Sequence, residues 1–475
     1  MHWLSAAAWG GPRSSTDWWS DPCRSSTASG GHAAFDPAEY DPAGATTVTA
    51  RFPAGVDPNV ADVEVSVRST VFTPTAEHVD FITLRGFDIR NAATNWVAPT
   101  AGQEGIVTAY WSRGWVIEDN EISYSRCAGI ALAKNRDEFD GERGTTEGYY
   151  DTISDALERD GWSRETIGSH LVRGNSIHHC GQVGIVGSLG CAFSTIEGNE
   201  IHDCNAQGIW SGAEMAGIKL HGAIDTVIRG NHLHRCGEPA AIWLDWMAQG
   251  AEISDNLLHD NYRDLFTEVS HGPIVVANNL LLSRRGWLSN SRGMLVAHNL
   301  LLGELDVRHD DRETPYLVPH ATDLVEMRRL CSVGDAHWAN NILGQRVDLS
   351  QYDKAAAELP CTFSGNVVIT TGGRHEHEGD LAVALEVHRG SWQLALESRA
   401  EWVTSVPRVD VEAMADAVVP RQGYAGGSLM DLDYLGAARG EHVSPGPFEP
   451  AVVGQVAVWR ERGARQRGET ERSDS

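Results

Sequence analysis

Two acidic side chains stand at equivalent places in neighbouring repeats of this sequence. Asp245 ends the segment Ala241–Asp245, and Glu268 ends the similar segment Asp264–Glu268 one repeat later. Adjacent β-strands lie about 4.8 Å apart, so paired positions would bring the two carboxyl groups to about 5 Å. At that spacing one carboxylate can attack an anomeric carbon while the other serves as acid and base, as in retaining glycoside hydrolysis.

Other interpretations of this acid pair remain open, because acids stacked on a β-sheet can also bind Ca²⁺ or lie in solvent. Two like charges so close together resist joint ionisation, which raises one pKa and suits an acid/base pair. Trp243, Trp246 and Phe266 flank the acids. Uncompensated charge among aromatic side chains is costly, so we favour a functional pair.

The repeats on either side extend the pair into a column. His221 ends Gly217–His221, and Asn290 ends Gly286–Asn290, each about one repeat away from its neighbour. The spacing therefore predicts one polar column on one face of a sheet, formed by His221, Asp245, Glu268 and Asn290.

Several polar and aromatic residues near this column are candidates for sugar binding. Glu214 and Lys219 precede it, with a surface ion pair as the alternative interpretation. His221 is expected to orient Asp245 or a sugar hydroxyl. The remaining candidates are Trp246 and His271, for which core packing is the alternative, and Gln103. Glu104 and Asp264 are expected to be structural.

A recurring phrase predicts the fold that positions these residues. In each copy, an Asn follows Gly, Asp or another small or polar residue, and an aliphatic residue stands two positions after the Asn. The distance along the sequence from one Asn to the next is most often close to the length of one β-helix coil. We expect each Asn to lie in a turn because its amide tolerates the left-handed conformation and can bond the same Asn one coil away. The repeated positions are Asn120, Asn175, Asn199, Asn231, Asn256, Asn279, Asn299, Asn341 and Asn366.

The repeat indicates an all-β, right-handed parallel β-helix over residues 62–372, with the handedness following the rule for parallel crossovers. An insertion between Asn120 and Asn175 contains a predicted helix near Asp151–Arg159. Residues 1–61 and 373–459 lack the Asn phrase, and within the second segment residues 380–416 are expected to be partly helical. Residues 460–475 are expected to form a disordered tail.

Two further columns accompany the Asn repeat. Three residues after the Asn stand histidines, which we interpret as a stacked ladder on the outer surface, with metal ligands as the alternative. Five residues after it stand cysteines, which we interpret as small buried residues rather than disulfides or metal ligands. The histidines are His178, His202, His234 and His259, and the cysteines are Cys180, Cys204 and Cys236.

Composition excludes several classes of partner. The formal net charge is −27, which argues against binding to nucleic acid or an anionic membrane and weakly against a polyanionic substrate. No apolar run reaches about 18 residues, so no membrane span is expected. The first residues lack the features of a signal peptide. The 8 cysteines then predict reduced thiols in a cytoplasmic protein.

The segments around the acid pair resemble glycoside hydrolase family 120, the β-helix β-xylosidases. The resemblance rests on Gly217–His221, Ile242–Trp246 and Asp264–Pro273, supported by Gly181–Gly187 and Thr314–His320. It implies that Asp245 is the nucleophile and Glu268 the general acid/base. The implied substrate is a short β-1,4-xylo-oligosaccharide, cut from the non-reducing end with retention of configuration.

The resemblance also bears on organisation and partners. It implies no metal or organic cofactor and a homo-oligomeric protein. Family members carry a small β-sandwich inserted after the first coils, so residues 1–61 are expected to be a partial β-sandwich remnant and the opening coils to be missing. Residues 373–459 are expected to form a mixed extension packed on the β-helix.

Three other functions remain open. An arabinosidase or fucosidase is the first option, because a pentose and a deoxyhexose differ by one exocyclic carbon and a binding pocket discriminates between them only modestly. An inverting hydrolase or a lyase is a second option, although a lyase needs a basic residue and usually an anionic substrate, which the charge of −27 disfavours. A non-catalytic, glycan-binding β-helix is the third, given the expected N-terminal truncation.

Overall fold

The computed structural model describes most of the chain between residues 54 and 369 and shorter pieces on either side. The described residues are 2–4, 25–26, 32–34, 49–52, 54–99, 102–140, 146–208, 210–317, 325–329, 333–354, 359–369, 381–388, 390–398, 406–407, 430–449 and 454–460.

The N-terminal pieces form two small sheets. Strand β1 (His2–Leu4) pairs in parallel with β5 (Val63–Val65). Strands β2 (Ser25–Ser26), β3 (His32–Ala34) and β4 (Thr49–Arg51) form an antiparallel sheet. Most of residues 1–61 lies outside the described residues, so the expected β-sandwich remnant stays a prediction.

Three parallel sheets, S1 to S3, wind around one core as a right-handed β-helix, which confirms the predicted fold class. S1 contains β6 (Thr83–Arg85), β9 (Val116–Glu118), β12 (Leu171–Arg173), β15 (Thr195–Glu197), β18 (Val227–Arg229), β21 (Ala251–Ser254), β24 (Ile274–Ala277), β27 (Met294–Ala297), β32 (Ala336–Ala339) and β34 (Thr362–Ser364). S2 contains β7 (Asp88–Ala92), β10 (Glu121–Ser125), β13 (Ser176–His178), β16 (Glu200–His202), β19 (His232–His234), β22 (Leu257–His259), β25 (Leu280–Leu281), β28 (Leu300–Leu301), β33 (Ile342–Gly344) and β35 (Val367–Ile369). S3 contains β8 (Gly105–Thr108), β11 (Ala128–Ala131), β14 (Val183–Ser188), β17 (Ala216–His221), β20 (Ala240–Leu244), β23 (Leu265–Thr267), β26 (Arg285–Ser289) and β29 (Glu304–Val307).

The repeated Asn residues form a continuous ladder in the turn between S1 and S2. The Oδ1 atom of Asn256 accepts bonds from the backbone N–H and the side-chain Nδ2 of Asn231, at 2.9 and 3.1 Å. Its own Nδ2 donates to the Ile228 carbonyl at 2.9 Å. The left-handed residue of the turn is the one before the Asn, such as Gly230 with φ 59° or Asp255 with φ 55°. The predicted inter-coil bond is confirmed, whereas the left-handed conformation predicted for the Asn itself is wrong.

The predicted cysteine and histidine columns both form. Cys180, Cys204 and Cys236 are buried free thiols inside the helix. The rings of the histidine column stack at centroid distances of 4.9, 4.8 and 5.2 Å. The surface position predicted for this column is wrong for the side chains of His234 and His259, which are only 5% and 4% exposed.

A C-terminal sheet covers those two histidines. It is antiparallel and contains β36 (Leu381–His388), β37 (Ser391–Ser398) and β40 (Gly454–Arg460). The helical interpretation of 380–416 is therefore wrong over β36 and β37, and much of the rest of that segment lies outside the described residues. A two-stranded sheet joins β38 (Val406–Pro407) and β39 (His442–Val443). The expected disordered tail, 460–475, is wrong at its first residue, because Arg460 ends β40, and residues 461–475 lie outside the described residues.

Two insertions rise from one side of the coils. Helix α1 (Thr146–Arg159) confirms the helix predicted in the long insertion. It packs against a hairpin of β30 (Glu313–Leu317) and β31 (Val325–Arg329). A short helix, α2 (Gln351–Lys354), lies in the coil that follows β33. Neither helix in the described part of the chain has the length and apolar character to cross a membrane.

Candidate active site

Asp245 and Glu268 occupy equivalent positions on neighbouring coils. Asp245 directly follows β20 and Glu268 directly follows β23, and these strands pair with Leu244 opposite Thr267. The pairing continues one residue further, because the Glu268 N–H donates to the Leu244 carbonyl at 2.8 Å. Leu244 points into the core. The alternation of a strand therefore directs both carboxyl side chains to the outer side of S3.

The same register brings the rest of the polar column together. Leu220 lies opposite Leu244, so His221 precedes Asp245 in the column. Thr267 lies opposite Ser289, so Asn290 follows Glu268. The one-coil offsets read from the sequence match this register.

Cationic and N–H groups surround Asp245. Its Oδ2 lies 2.7 Å from the Lys219 ammonium and 2.7 Å from His221 Nε2, and its Oδ1 accepts the backbone N–H of Trp246 at 2.8 Å. Burial alone would raise the pKa of this carboxyl, but the charges of Lys219 and His221 outweigh it and hold the pKa far below its ordinary value. Asp245 is therefore a carboxylate throughout the physiological range.

The pKa of Glu268 is shifted in the opposite direction. Burial and the negative charge of Asp245 raise its pKa to about 7, against the opposing effect of Arg312 and Lys219. Its Oε2 accepts the indole N–H of Trp243 at 3.0 Å, and its Oε1 lies 2.5 Å from Arg312 Nη2. One member of the pair is thus held ionised while the other keeps a proton near neutral pH, the division that acid/base catalysis requires.

A row of buried polar side chains lies next to Asp245. Lys219 and Glu214 are both fully buried and lie 3.2 Å apart, so the surface ion pair considered as an alternative is wrong. Gln103 donates to Glu214 at 3.2 Å and is 1% exposed. The carboxylates of Asp245 and Glu214 outweigh burial and raise the pKa of Lys219, which is therefore a permanent cation.

Trp246 and His271, two of the predicted sugar-binding residues, are both buried and contact neighbouring side chains. Trp246 is 1% exposed and packs against His221 at 4.9 Å and Tyr149 at 4.4 Å, and these two rings also lie 5.9 Å from each other. His271 bonds to Thr314 Oγ1 at 3.0 Å and packs against Tyr316 of the hairpin. Trp246 supports His221 from behind, and His271 ties the coil to the hairpin.

The insertions supply residues that the repeat analysis missed. Arg312, between β29 and β30, contacts both Glu268 and Asp310, and Asp310 also accepts a bond from Asn290 at 3.1 Å. Tyr149 on α1 completes the stack over Trp246. These residues lie outside the repeat and have no spacing signal. The only sequence feature that pointed to the region of Arg312 was the segment Thr314–His320, which carries part of the family resemblance.

The two acids expected to be structural also have partners. Asp264 is buried and accepts bonds from Asn261 at 3.1 Å and the Ser283 N–H at 2.9 Å. Glu104 forms an ion pair with Arg136. Neither contact involves the polar column.

One group at the site has the donor set of a metal centre. Glu214, His221 and Asp245 each offer a ligand atom, and these atoms lie within 4.8 Å of one another. The ammonium of Lys219 lies 3.2 Å from Glu214 and 2.7 Å from Asp245. The lysine therefore already supplies the positive charge between the two carboxylates.

The comparisons with known proteins agree with this architecture. Residues 112–301 match the family described as the right handed beta helix region. The solved structure of XylC with xylose is 30% identical, with a TM-score of 0.73, over 87% of this chain and 72% of XylC. The chain belongs to the XylC family.

Two polysaccharide lyases give far lower scores. Pectate lyase Pel9A is 10% identical with a TM-score of 0.32 over 83% of this chain and 89% of its own. An alginate lyase of family PL6 in complex with a trisaccharide is 10% identical with a TM-score of 0.23 over 62% and 80%. No curated protein sequence matches the chain. Membership of the XylC family supports a carbohydrate-active enzyme.

Proposed function

We propose that this protein is a retaining exo-glycoside hydrolase of the family 120 type that releases xylose from short β-1,4-xylo-oligosaccharides. The observation that carries the proposal is the pairing of Asp245 and Glu268 on adjacent strands with opposite pKa shifts. Strand spacing places such side chains about 5 Å apart, the separation of retaining rather than inverting enzymes. The xylose complex of XylC supports a pentose as the substrate.

In the first step, Asp245 attacks the anomeric carbon and Glu268 gives its proton to the departing glycosidic oxygen. The C1–O bond breaks as the bond from C1 to Asp245 Oδ1 or Oδ2 forms. In the second step, Glu268 removes a proton from water, which attacks C1 and releases Asp245. Xylose is then freed with its original configuration.

Lys219 and His221 are assigned as positioning residues for Asp245. Two contacts of 2.7 Å fix one carboxylate oxygen, while the other is held by the Trp246 N–H. Fixing the nucleophile before substrate binds reduces the reorganisation needed to reach the transition state.

The charge on Lys219 also weighs against a lyase. A lyase base must be neutral to abstract a proton, whereas the two carboxylates beside Lys219 raise its pKa and keep it protonated. Sugar binding by Gln103, Glu214, Trp246 and His271 stays a prediction.

Chemical rescue distinguishes the roles of the two acids. With an aryl β-xyloside, Asp245→Ala should lose activity by about 10⁴-fold or more, and azide should restore turnover to give the α-xylosyl azide. Glu268→Ala should give the β-xylosyl azide, because azide then attacks the glycosyl-enzyme from the opposite face. Asp255→Asn, which changes a half-buried acid outside the site, is the matched control and should retain full activity.

The wild-type reaction provides an independent check. Proton NMR of the first product should show β-xylose, whereas α-xylose would indicate an inverting enzyme. A panel of aryl xylosides, arabinosides and fucosides decides the glycoside. Unchanged hydrolysis by Asp245→Ala would remove the nucleophile assignment, and xylobiose bound without cleavage would favour a glycan-binding function.

A further inference from the structure

A second cluster of potential ligands lies on S2, outside the candidate active site. Glu200 on β16 and His232 and His234 on β19 each offer a ligand atom, and these atoms lie within 4.8 Å of one another. Glu200 lies opposite His232 in the strand pairing, and His232 and His234 are two residues apart on one strand. All three side chains therefore point to the same outer side of S2.

The distances fit a tetrahedral ion. Glu200 Oε1 lies 3.5 Å from His232 Nδ1 and 3.5 Å from His234 Nε2. Ligands placed 2.0–2.1 Å from Zn²⁺ in a tetrahedron are separated by about 3.4 Å. An ion between the three atoms would therefore need little movement of the side chains.

The nitrogens that face Glu200 lie 3.5 Å from its carboxylate, at the outer limit of a hydrogen bond. His232 is fully buried and His234 is 4% exposed, yet His232 Nδ1 and both ring nitrogens of His234 have no well-aligned hydrogen-bond partner. A buried nitrogen without a well-aligned partner is unfavourable, and coordination to an ion would offset that cost.

An outer set of contacts holds the ligands. His232 Nε2 lies 2.8 Å from His259 Nε2, and His259 Nδ1 lies 2.8 Å from Asp260. Such a chain from a carboxylate through a second ring to a ligand is typical of support behind metal-binding histidines.

The C-terminal sheet packs over the two histidines of the cluster, whereas the Glu200 side chain stays 22% exposed. The Trp392 ring lies 5.1 Å from His232, and the Trp459 ring lies 5.3 Å from it. An apolar cover of this kind lowers the local dielectric and strengthens the attraction between a cation and Glu200.

We propose that Glu200, His232 and His234 bind a divalent transition-metal ion of the Zn²⁺ class, with a fourth position for water. Two imidazoles and one carboxylate are a ligand set that suits zinc. The ion links adjacent coils beneath the C-terminal sheet and stabilises the folded chain. The inference concerns binding and is independent of the proposed hydrolase activity.

Cobalt titration of the full chain without a histidine tag tests the proposal. After treatment with a chelator, Co²⁺ should bind with one equivalent and produce the intense visible absorption of a tetrahedral centre, which Zn²⁺ should abolish. Zn²⁺ should also raise the melting temperature. Absence of a tetrahedral spectrum in the wild-type protein overturns the proposal, even where a ligand variant fails to fold.

Variants locate the ion. Glu200→Gln and His234→Gln should weaken Co²⁺ binding by more than about 100-fold, and His259→Gln by about 10–100-fold. His178→Gln changes a ring of the same ladder outside the cluster and is the matched control, with unchanged affinity expected. Circular dichroism checks that each variant is folded. Wild-type affinity in both Glu200→Gln and His234→Gln would overturn the assignment.

Discussion

At the scale of single residues, the two carboxyls of the candidate site differ in their neighbours rather than in their burial. Asp245 is surrounded by Lys219, His221 and a backbone N–H. Glu268 faces Asp245 itself, with Arg312 as its partially exposed counter-charge. Desolvation favours the neutral form of both, so the asymmetry comes from the cations placed beside Asp245.

Removing the buried cation should shift the acidic limb of the pH profile. Without Lys219 the pKa of Asp245 rises, so Lys219→Met should move the acidic limb of kcat/KM to higher pH and lower kcat by about 10²–10³-fold. Breaking a buried pair should also destabilise the fold by about 3–5 kcal/mol.

Lys134→Met is the matched control for that variant. Lys134 is equally buried and pairs with Asp137 at 2.9 Å and Asp140 at 2.7 Å, so its loss should destabilise the protein without moving the acidic limb. Equal pH profiles for Lys219→Met and the wild type would contradict the positioning role.

Removing Arg312 should shift the basic limb. Arg312 lowers the pKa of Glu268, which must be protonated for the first step, so activity falls as pH rises through that pKa. Arg312→Met should move the basic limb to higher pH by about one unit or less, because the pair is partly exposed.

The neighbouring Arg308→Met serves as the control for this prediction. Arg308 pairs with Asp306 rather than with Glu268. Kinetics across pH 5–9 should show an unchanged basic limb for this variant. A downward shift in Arg312→Met would mean that Glu268 is not the acid.

At the scale of elements, the paired strands of the coils position the two acids side by side, and the insertions surround them. The strand pairing fixes Asp245 beside Glu268 through backbone bonds alone. The hairpin is tied to the coil after β20, because Gln249 exchanges two bonds with the Leu317 backbone at 3.0 and 2.9 Å. Errors in coil register would therefore disturb the acid pair directly.

Breaking the Asn ladder should be costly. Asn256→Ala removes the acceptor of the Asn231 N–H and of one of the two Nδ2 bonds of Asn231, whose other bond goes to Ile196, and it removes a donor to the Ile228 carbonyl. We expect a loss of about 3 kcal/mol in the free energy of unfolding, measured with urea. Asn59→Ala, in an exposed turn, should change it by less than about 0.5 kcal/mol. A similar small effect in Asn256→Ala would contradict a structural role for the ladder.

At the scale of the whole molecule, one apolar core runs along the coils from Leu84 to Tyr352. The C-terminal sheet adds a second core on the outside of S2, where Leu394 and Leu396 pack against Leu257. Sequence-distant segments therefore stabilise the coils from outside as well as from within.

Truncating Trp392 should weaken the packing of the C-terminal sheet on S2. Trp392 packs on His232, His234 and His259 at centroid distances of 5.1, 5.8 and 4.6 Å. Trp392→Ala should lower the free energy of unfolding by about 2–3 kcal/mol, since the side chain is only partly buried. Val368→Ala, at a side chain 62% exposed, should have almost no effect. Equal urea midpoints for both variants would contradict the packing role.

The sequence by itself predicted which residues meet from one coil to the next. The Asn ladder, the cysteine column, the stacking of the histidines and the register of Asp245 with Glu268 all repeat once per coil. In parallel pairing, residues at equivalent positions of successive coils lie side by side, so these contacts can be predicted from the spacing in the sequence alone.

Only the tertiary structure decided which residues surround those columns. Arg312 and Tyr149 reach the site from insertions, and Trp392 covers the histidines from a separate sheet. The same holds for the burial of Glu214 with Lys219. These contacts join segments with no common period, and the balance of desolvation against local charge depends on that packing rather than on residue type.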